Sequence, residues 1–574
     1  MRPVRFLPLL LLLALVVALA CGDNDSNDGK PTQQPDQTAV AGITPAPALA
    51  ADDWPMFSGS LERLGYNANE AAITKDNVAN LVMKWKFPTG APVAASPAVA
   101  TIAVPGEGPV RTVVVGSYDG NVYAIRADDG TELWHYKIKP HPGVSYGAIA
   151  SSAAVALVVG QQRVYVGGGE TMYALDAATG GLLWQFDAGT GCTTCSPAEE
   201  RNEILSSPAV LPSQNMVLFG MDVNDNDPGK GGFYAVSAIT GTLIWYFDVE
   251  TGIACVPNDD DEVRRFDGYH SAQELGLPAD FFATRDGCDF DRTETGCGSV
   301  WSPVSVDQDR KQIFFVTSNC DTDNDPSTAE PEPPMPQYDE ALVVLDYNGA
   351  PVWSWRPREV DNDDLAFGAA PNLFSTTIDG KDRDVVGIGG KDGTYYLLDR
   401  EGKSVRTDKI KPYWQRKLVP GGAIGGITGT PAVMNGVIYI GTAIGESEDN
   451  FQQPSAHALD ASTGDIIWQS DKTFPYFGGT SAIPGVVFMG GVDFRIRAID
   501  AATGEVIQAY PLGGLGFSQS VVVDGVLYVG SGFGAQAAVD SNEAESLAKA
   551  PAGVLAFCVE GVQGCEAAPT PTDE

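Results

Sequence analysis

Side chains that commonly perform catalysis are sparse in this chain and do not follow the spacing of known catalytic motifs. The four histidines lie far apart and form neither an HExxH metal motif nor part of a Ser-His-Asp signature; they are His135, His141, His270 and His457. The run GGAIGGITG lies between predicted strands and not before a helix, which argues against a phosphate-binding loop. The runs DVNDND and DTDNDP offer oxygen ligands that suit calcium, yet both lack the glycine at position six of an EF-hand loop.

Acidic residues strongly outnumber basic ones, with 74 Asp and Glu against 36 Lys and Arg and a formal net charge of −38. This charge would repel a phosphate backbone, so we predict no nucleic-acid partner. The same charge suits bound calcium or a basic electron-transfer protein, and solubility alone is the alternative explanation.

The chain has nine cysteines. Cys21 follows an N-terminal apolar run, and the remaining eight form an even set, which indicates disulfides in an exported protein. Spacing favours the pairs Cys192–Cys195 and Cys558–Cys565. The other four are then paired among themselves; they are Cys255, Cys288, Cys297 and Cys320. A zinc site is the alternative, but Cys192-Thr-Thr-Cys195 has no second Cys or His pair at suitable spacing.

The N-terminus is typical of an export signal. Two arginines precede the apolar run 6–20, which is too short to span a bilayer comfortably, so we predict a signal peptide over residues 1–20. Its end, ALAC, resembles a bacterial lipobox and predicts lipid attachment at Cys21; an ordinary signal peptide cut nearby is the alternative. The predicted location is the bacterial periplasm or cell envelope, with membrane contact through the lipid anchor only. Gly22 after the cysteine favours an outer membrane.

A strand-forming unit recurs along most of the chain. It has a β-branched run, a glycine turn, an alternating run, a second turn and a tryptophan, as in VVVGSYDGNVYAIRADDGTELW and VYVGGGETMYALDAATGGLLW. Such units cannot bury both faces alone and must stack around an axis, with the tryptophan between neighbours. In five units the tryptophan follows the turn glycine by four residues: Gly130/Trp134, Gly180/Trp184, Gly241/Trp245, Gly349/Trp353 and Gly464/Trp468. In two units it is replaced at that spacing: Gly402/Arg406 and Gly504/Gln508.

We therefore predict an all-β fold, an eight-bladed β-propeller over residues 53–565. The last unit, with VLYVGSGFG and VLAFCV, lacks an outer strand, and NLVMKWKF near the N-terminus is expected to supply it and close the ring. Residues 21–52 are expected to form a disordered tether and residues 566–574 a disordered tail. Residues 255–300 and 320–338 interrupt the repeat as long rim loops, which are suited to building a site.

These repeats resemble those of quinoprotein alcohol dehydrogenases, which depend on pyrroloquinoline quinone. The run DWPMFSGSLERLGYNANEAAITKDNVANLVMKWKF is similar to the start of polyvinyl-alcohol-dehydrogenase-type members, and the resemblance covers nearly the whole mature chain. The repeats alone specify only the fold, because the barrel-assembly lipoprotein of outer membranes shares them without catalysis.

The resemblance implies two residues that contact the quinone. In GCGSVWSPVSVD it places Trp301 under the quinone plane, where a flat aromatic ring holds a planar cofactor by stacking. In KDGTYYLLDR it places Lys391 against the quinone carbonyls, where a cation stabilises developing negative charge. The alternatives are a tryptophan packed between blades and an ordinary turn lysine.

The resemblance also implies a calcium site. Asn319 in FFVTSNC corresponds to a family ligand, and Asp225 in FGMDVNDND is the nearest match to a second, with Asp222 as the fallback. A carboxylate and an amide from neighbouring blades are hard oxygen ligands of the kind that calcium prefers. Solvated acidic loops without a metal are the alternative.

Several features depart from the family pattern. The run DNDDLAFGAAPNLF puts Ala366 at the position of the general base, and Asp364, just upstream, is expected to reach the site only if its loop is rearranged. The family's adjacent cysteine pair is missing where SYGAIASSAA stands, and no CxxCH attaches haem, so a separate electron acceptor such as a cytochrome c is predicted. Two hypotheses remain: a calcium- and quinone-dependent alcohol dehydrogenase, and a non-catalytic propeller that serves as a scaffold for protein binding or envelope assembly.

Overall fold

The structure is a computed structural model, and its described residues lie within one compact unit, Thr44–Glu574. Apart from two short 3-10 turns, Val78–Asn80 and Pro212–Gln214, the regular structure in this described part of the chain is all strand. No helix among the described residues is long and apolar enough to cross a membrane. The described residues are 46, 48–140, 147–188, 202–223, 231–249, 252–257, 263–265, 298–318, 338–358, 364–403, 410–444, 454–471, 474–532, 552–562 and 565.

Eight antiparallel sheets form the blades of a propeller, as the sequence predicts. Inner strands of several neighbouring blades contact each other, and the inner strand of the last blade contacts that of the first. An N-terminal strand, β1 (Leu81–Pro88), precedes blade 1. Blade 1 consists of β2 (Ala98–Val104), β3 (Gly108–Gly116), β4 (Asn121–Arg126) and β5 (Glu132–Lys137). Blade 2 consists of β6 (Ala154–Val158), β7 (Gln161–Gly168), β8 (Thr171–Asp176) and β9 (Leu182–Asp187).

Blade 3 is larger than the others, because short strands extend its sheet at both ends. It consists of β10 (Asn202–Glu203), β11 (Ala209–Leu211), β12 (Met216–Val223), β13 (Gly232–Ser237), β14 (Leu243–Asp248), β15 (Ile253–Pro257) and β16 (Val263–Arg265). Blade 4 consists of β17 (Ser305–Asp307), β18 (Gln312–Val316), β19 (Leu342–Asp346) and β20 (Pro351–Trp355).

The last four blades follow the same plan. Blade 5 consists of β21 (Asn372–Ile378), β22 (Lys381–Gly389), β23 (Thr394–Asp399) and β24 (Trp414–Lys417). Blade 6 consists of β26 (Ala432–Met434), β27 (Val437–Gly441), β29 (Ala456–Asp460) and β30 (Ile466–Gln469), beside a small sheet of β25 (Gly425–Gly426) and β28 (Ala443–Ile444). Blade 7 consists of β31 (Ser481–Ile483), β32 (Val486–Gly490), β33 (Arg495–Asp500) and β34 (Val506–Pro511). Blade 8 consists of β35 (Val521–Val523), β36 (Val526–Ser531), β37 (Gly553–Val559) and the distant β1.

The ring is closed by the N-terminal strand, as predicted. β1 pairs antiparallel with β37, in a register that runs from Leu81 opposite Val559 to Pro88 opposite Gly553. This pairing covers the edge of β37, which would otherwise expose unpaired backbone groups. The predicted disulfide Cys558–Cys565 is present at the end of β37 and is confirmed.

Tryptophans of the outer strands hold neighbouring blades together. The ring of Trp134 lies so close to Gly180 of the next blade that an added Cβ would come within 2.5 Å of it. Its indole N–H donates to the carbonyl oxygen of Ala177 at 2.9 Å. The same pair of contacts with the next blade is made by Trp85, Trp184, Trp414 and Trp468.

One tryptophan position predicted from the repeat is wrong. The spacing after Gly402 predicts that Arg406 replaces the tryptophan of blade 5, but Trp414 in β24 takes the role and lies against Gly464. Arg406 itself lies outside the described residues. The fixed four-residue spacing fails here because more residues separate the turn glycine from the outer strand than in the other units.

The segment 54–67 joins the inner strands of seven blades. Backbone groups of this segment pair with successive inner strands, beginning with the Trp54 N–H, which donates to the Val99 carbonyl oxygen of blade 1 at 2.8 Å. Arg63 of this segment is fully buried, and burial lowers its pKa to about 9. The further backbone partners are Val155, Val306, Leu373, Val433 and Ala482, of blades 2, 4, 5, 6 and 7, and the Asn67 side-chain amide donates to the Val522 carbonyl oxygen of blade 8.

Several sequence predictions concern residues that the structure describes only in part. Of the predicted tether 21–52, Ala46 donates to the Gly160 carbonyl oxygen at 2.8 Å, so contacts with the propeller begin before residue 53. Of the predicted loop 255–300, the beginning contributes to β15 and β16. Outside the described residues lie residues 1–45, the tail 566–574, Cys192, Cys195, Cys288, Cys297 and Cys320, and most of the loop 320–338.

Candidate functional site

Three residues with the potential to do chemistry come from loops on the same face of the propeller. Trp301 precedes the inner strand β17 of blade 4, and Asp364 precedes the inner strand β21 of blade 5. Lys391 lies in the turn between β22 and β23. In an antiparallel blade the turn between the second and third strands emerges on the same face as the connection from the previous blade, because successive strands alternate in direction.

Trp301 lies in the loop before an inner strand, whereas the tryptophans that join the blades lie in outer strands. Its indole is only partly buried and lies against Gly368 of blade 5, where an added Cβ would come within 2.6 Å of Cη2. The same Cβ would lie 2.9 Å from Cα of Thr428 in blade 6. The close approach of these chains therefore requires glycine at position 368 and leaves part of the indole accessible.

Lys391 lies beside both the indole and a carboxylate. Its Nζ is 5.8 Å from the centroid of the Trp301 ring, within the range of a cation–π contact. The same ammonium donates to Asp364 Oδ1 at 2.7 Å and to Oδ2 at 2.9 Å. The Lys391 side chain is 13% exposed and that of Asp364 is 31% exposed. The cluster is thus largely desolvated but open on one side.

Asp364, expected from sequence to reach the site only if its loop is rearranged, lies beside Lys391. Its backbone adopts a left-handed conformation, with φ of 50°, which non-glycine residues rarely adopt. Its role as a base stays a prediction. Ala366 is fully buried, and its carbonyl oxygen accepts the Lys391 amide at 2.9 Å. The carboxylate beside Lys391 is therefore two residues upstream of the expected base position.

The glycine-rich run GGAIGGITG, which the sequence left without a role, holds the backbone of Lys391. The Gly422 N–H donates to the Lys391 carbonyl oxygen at 3.0 Å. An added Cβ at Gly426, which has φ of 73°, would approach that oxygen to 2.2 Å. A signal in the sequence was available, since repeated glycines between strands mark a close approach of two backbones.

The predicted calcium ligands are described only in part. Asp222 at the end of β12 is partly buried and accepts a hydrogen bond from Ser299 Oγ, two residues before Trp301. The Ser299 carbonyl oxygen accepts the Ser318 amide at 2.9 Å. Asn319 and Asp225 lie outside the described residues, and among those described no three His, Cys, Asp or Glu side chains form a metal-binding group. The calcium site stays a prediction.

Aromatic residues that the sequence did not single out continue the same face through blades 7 and 8. Thr428 Oγ1 donates to the Phe477 carbonyl oxygen at 3.4 Å. The ring of Phe477 stacks on that of Phe517, with centroids 5.5 Å apart and an interplanar angle of 16°. Both rings are partly exposed. They present an apolar surface near the cluster of Trp301, Asp364 and Lys391.

Comparison with known proteins places this fold and these residues in a family. Residues 54–407 match the family of PQQ proteins described as the glucose/ethanol/alcohol dehydrogenase β-propeller domain. This match covers more than half of the chain, and the chain therefore belongs to the family of PQQ-dependent dehydrogenase β-propellers. Residues 339–563 also match the family described as outer membrane protein assembly factor BamB.

Individual relatives are distant. The polyvinylalcohol dehydrogenase of Sphingopyxis sp. (strain 113P3) is 23% identical over 529 residues, which span 83% of this chain and 69% of that enzyme. The lupanine 17-hydroxylase [cytochrome c] of Pseudomonas sp is 23% identical over 386 residues, and the match spans only 50% of that enzyme. The quinohemoprotein alcohol dehydrogenase of Comamonas testosteroni superposes with a TM-score of 0.64 at 20% identity, covering 91% of this chain and 82% of that chain. At this identity the likeness establishes the fold alone.

Proposed function

We propose that this protein binds pyrroloquinoline quinone and oxidises an alcohol. The proposal rests on one observation, the convergence of the Trp301 indole, the Lys391 ammonium and the Asp364 carboxylate on one face of a quinoprotein-type propeller. These three groups differ in kind and come from three separate loops. Such a combination suits a planar cofactor that bears carbonyl oxygens.

The residues of the cluster fit the cofactor that the family implies. A partly exposed indole offers a flat surface for stacking, and Gly368 leaves room for the edge of the indole against the neighbouring loop. When bound, the quinone supplies the two-electron acceptor for an alcohol oxidation. Lys391 would hold a positive charge at its carbonyl oxygens, which favours the build-up of negative charge there.

Asp364 is the candidate general base. In this role one of its carboxylate oxygens accepts the hydroxyl proton of the alcohol, while Lys391 keeps the carboxylate in place. The distances of 2.7 Å and 2.9 Å from Nζ to the two carboxylate oxygens support that arrangement. The apolar rings of Phe477 and Phe517 suit an alcohol with a hydrocarbon part.

Asn319, with Asp225 or Asp222, would hold calcium beside the quinone. The Ser299 hydroxyl and carbonyl connect Asp222 to the residue that precedes Asn319, which brings these two segments close to Trp301. Calcium held by these residues would supply further positive charge to the site.

The proposed setting is the bacterial periplasm, with the mature chain anchored through a lipid on Cys21, by preference at an outer membrane. This part of the proposal rests on the N-terminal sequence alone. A separate electron acceptor such as a cytochrome c would reoxidise the cofactor. The name of the lupanine hydroxylase includes cytochrome c as its acceptor, which supports this expectation for the present chain.

The experiment is reconstitution of the purified protein with pyrroloquinoline quinone and Ca²⁺. We expect a bound chromophore in stoichiometric amount after gel filtration, and dye-linked oxidation of a primary or secondary alcohol. Trp301→Ala should lose the chromophore. Absence of binding at micromolar quinone would contradict the proposal.

A second candidate function is a non-catalytic scaffold. The match of residues 339–563 to the BamB family and the alanine at position 366 favour it. It predicts normal folding without cofactor and capture of envelope proteins by the rim loops. Stoichiometric quinone binding with alcohol turnover would exclude it as the main function.

A further inference from the structure

Arg358, which follows the outer strand β20 of blade 4, contacts three loops of the site face. Its Nη2 donates to the Leu365 carbonyl oxygen at 2.6 Å, and its Nη1 donates to Asp392 Oδ2 at 3.0 Å. Its Nε lies 3.5 Å from Glu340 Oε2. The guanidinium is planar and presents its N–H groups in fixed directions, so the two hydrogen bonds hold the loops of Leu365 and Asp392 relative to one another, while the contact with Glu340 is an ion pair without a hydrogen bond.

Two of these contacts adjoin the ion pair of the proposed site. Leu365 directly follows Asp364, whose left-handed backbone needs support from its surroundings. Asp392 directly follows Lys391, and its carboxylate also accepts hydrogen bonds from the Tyr396 hydroxyl and the Thr394 amide. Burial, together with the Asp392 charge, raises the pKa of Tyr396, which therefore stays a hydrogen-bond donor at neutral pH. Arg358 thus joins the residue after Asp364 to the residue after Lys391.

The third contact reaches the predicted calcium side. Glu340 is fully buried and adopts a left-handed backbone with φ of 44°. Its amide donates to the Ser318 carbonyl oxygen at 3.3 Å. Ser318 directly precedes Asn319, the predicted calcium ligand. One guanidinium therefore connects the end of the β18–β19 connection, which pairs with the residue before the predicted metal ligand, with both loops of the ion pair.

From this geometry we infer that Arg358 is a positioning residue, which sets Asp364 and Lys391 at their distance from Trp301 without contacting the quinone or the alcohol. The inference rests on the proposed function for its effect on quinone binding. Its effect on the two loops is independent of any cofactor.

Arg310 offers a matched control. It also bridges blades 4 and 5, donating from Nη1 to Asp307 Oδ2 at 2.9 Å and from Nη2 to Asp384 Oδ2 at 2.6 Å. It lies in the turn between β17 and β18, on the face opposite the site. Arg310→Gln therefore removes an arginine between the same two blades without touching the loops of Asp364 and Lys391.

The first measurement is hydrogen exchange by mass spectrometry on the full-length protein without cofactor. The Lys391 amide, which donates to the Ala366 carbonyl oxygen, is the reporter. In Arg358→Gln we expect faster exchange in peptides that cover residues 364–371 and 390–395, and in Arg310→Gln no change there. Unchanged exchange in Arg358→Gln would overturn the inference.

The second measurement is quinone affinity in the presence of Ca²⁺. Removing a residue that holds the binding groups in place typically weakens binding about 10- to 100-fold. We therefore expect quinone affinity to fall by that factor in Arg358→Gln and by less in Arg358→Lys. In Arg310→Gln the affinity should not change. Faster exchange with unchanged affinity would refute the functional part of the inference. A wild-type protein that binds no quinone would refute the proposed function, while the exchange result still decides whether Arg358 orders the loops.

Discussion

At the scale of single residues, the ammonium of Lys391 has two neighbours of different character. The indole of Trp301 offers a flat face at 5.8 Å, and the carboxylate of Asp364 offers two oxygens within hydrogen-bond distance. A lysine placed only to cap a turn would need neither. The arrangement allows one cation to act both on a stacked cofactor and on a proton acceptor.

Replacing the carboxylate tests its role as base. In Asp364→Asn we expect quinone binding to persist and the turnover number to fall about 10²- to 10⁴-fold, because an amide cannot accept the alcohol proton. Dye-linked oxidation rates at saturating alcohol give the measurement. Asp384→Asn, which breaks an ion pair with Arg310 on the opposite face of the propeller, is the control and should leave the rate unchanged. Equal rates in Asp364→Asn and wild type would contradict the assignment.

The sequence predicted part of this cluster. Trp301 and Lys391 were found because short runs around them resemble the family, and the structure brings their side chains together. The contact of Asp364 with Lys391 was not predicted, because it depends on a left-handed backbone that the aspartate itself does not indicate. Arg358 was missed because its contacts join residues that are close only after folding.

A buried histidine predicts how stability responds to acid. His457 in β29 accepts from the Gln469 side-chain amide at Nδ1, which leaves its Nε2–H to donate to Thr442 Oγ1, each at 2.9 Å. Burial lowers the pKa of His457 to about 4. The unfolded chain therefore binds a proton near pH 6.5 that the folded chain takes up only near pH 4, so this group's contribution falls as pH drops through that window.

The measurement is the difference in unfolding free energy between wild type and His457→Gln from pH 7.5 to pH 4.5. The stability advantage of the wild type should shrink by up to about 1.4 kcal/mol per pH unit below pH 6.5, and stay level above it. Contributions of other titrating groups cancel in the difference. A difference that does not change with pH would mean that His457 is not held neutral.

At the scale of elements, each blade depends on the next through its outer-strand tryptophan. In Trp134→Ala we expect a loss of about 3–5 kcal/mol in unfolding free energy, because the ring covers Gly180 and no neighbouring group can fill the space. Trp134→Phe should recover most of it and lack only the hydrogen bond to Ala177. Chemical denaturation measures both, and a loss below about 1 kcal/mol in Trp134→Ala would contradict the proposed coupling of blades.

The loop of blade 5 controls how the Trp301 indole lies. Gly368→Ala would put a Cβ within 2.6 Å of that ring, so the indole must tilt. We expect quinone affinity to fall about tenfold or more, together with a lower melting temperature, because the same Cβ would lie 2.9 Å from the Thr428 backbone. Gly181→Ala, in a blade 2 turn where the nearest atom is the Thr179 hydroxyl at 3.3 Å, should keep full affinity. Full affinity in Gly368→Ala would show that the orientation of the indole does not matter.

The repeat predicted the number and kind of elements because its turns and alternating runs are local signals. The repeat spacing mispredicted the tryptophan of blade 5 because the connection before β24 is longer than in the other units. Trp414 still packs against the turn glycine of the next blade, Gly464. The repeat also did not predict the contact between the glycine-rich run around Gly426 and the Lys391 backbone, because Lys391 belongs to another blade.

At the scale of the whole molecule, the two ends of the described chain complete one ring. β1 pairs with β37, and the segment 54–67 pairs with inner strands around the axis. The sequence predicted the closing strand, because the last repeat lacked one. It did not predict the role of the segment 54–67, since that segment has no periodicity and only one or two of its residues pair with each of seven blades.

The disulfide at the closing blade should stabilise the ring. Cys558 and Cys565 are separated by seven residues and lie at the end of the strand that holds β1. Replacing both by Ala should cost about 2–3 kcal/mol, as expected for a short closed loop, and should speed hydrogen exchange first in residues 81–88. Chemical reduction of the Cys558–Cys565 bond in the wild-type protein is the matched treatment and should have the same effect. If hydrogen exchange became faster to the same extent in all blades, the pairing of β1 with β37 would not be a local weak point of the ring.

The central claim is that one face of this propeller holds a planar quinone between protein groups of three loops. A crystal structure of the protein with pyrroloquinoline quinone and Ca²⁺ tests it most directly. We predict the quinone ring parallel to the Trp301 indole, with Lys391 Nζ in hydrogen-bond contact with its carbonyl oxygens and Asp364 facing the open side. A Trp301 face covered by protein, or a quinone bound away from Lys391, would contradict the claim.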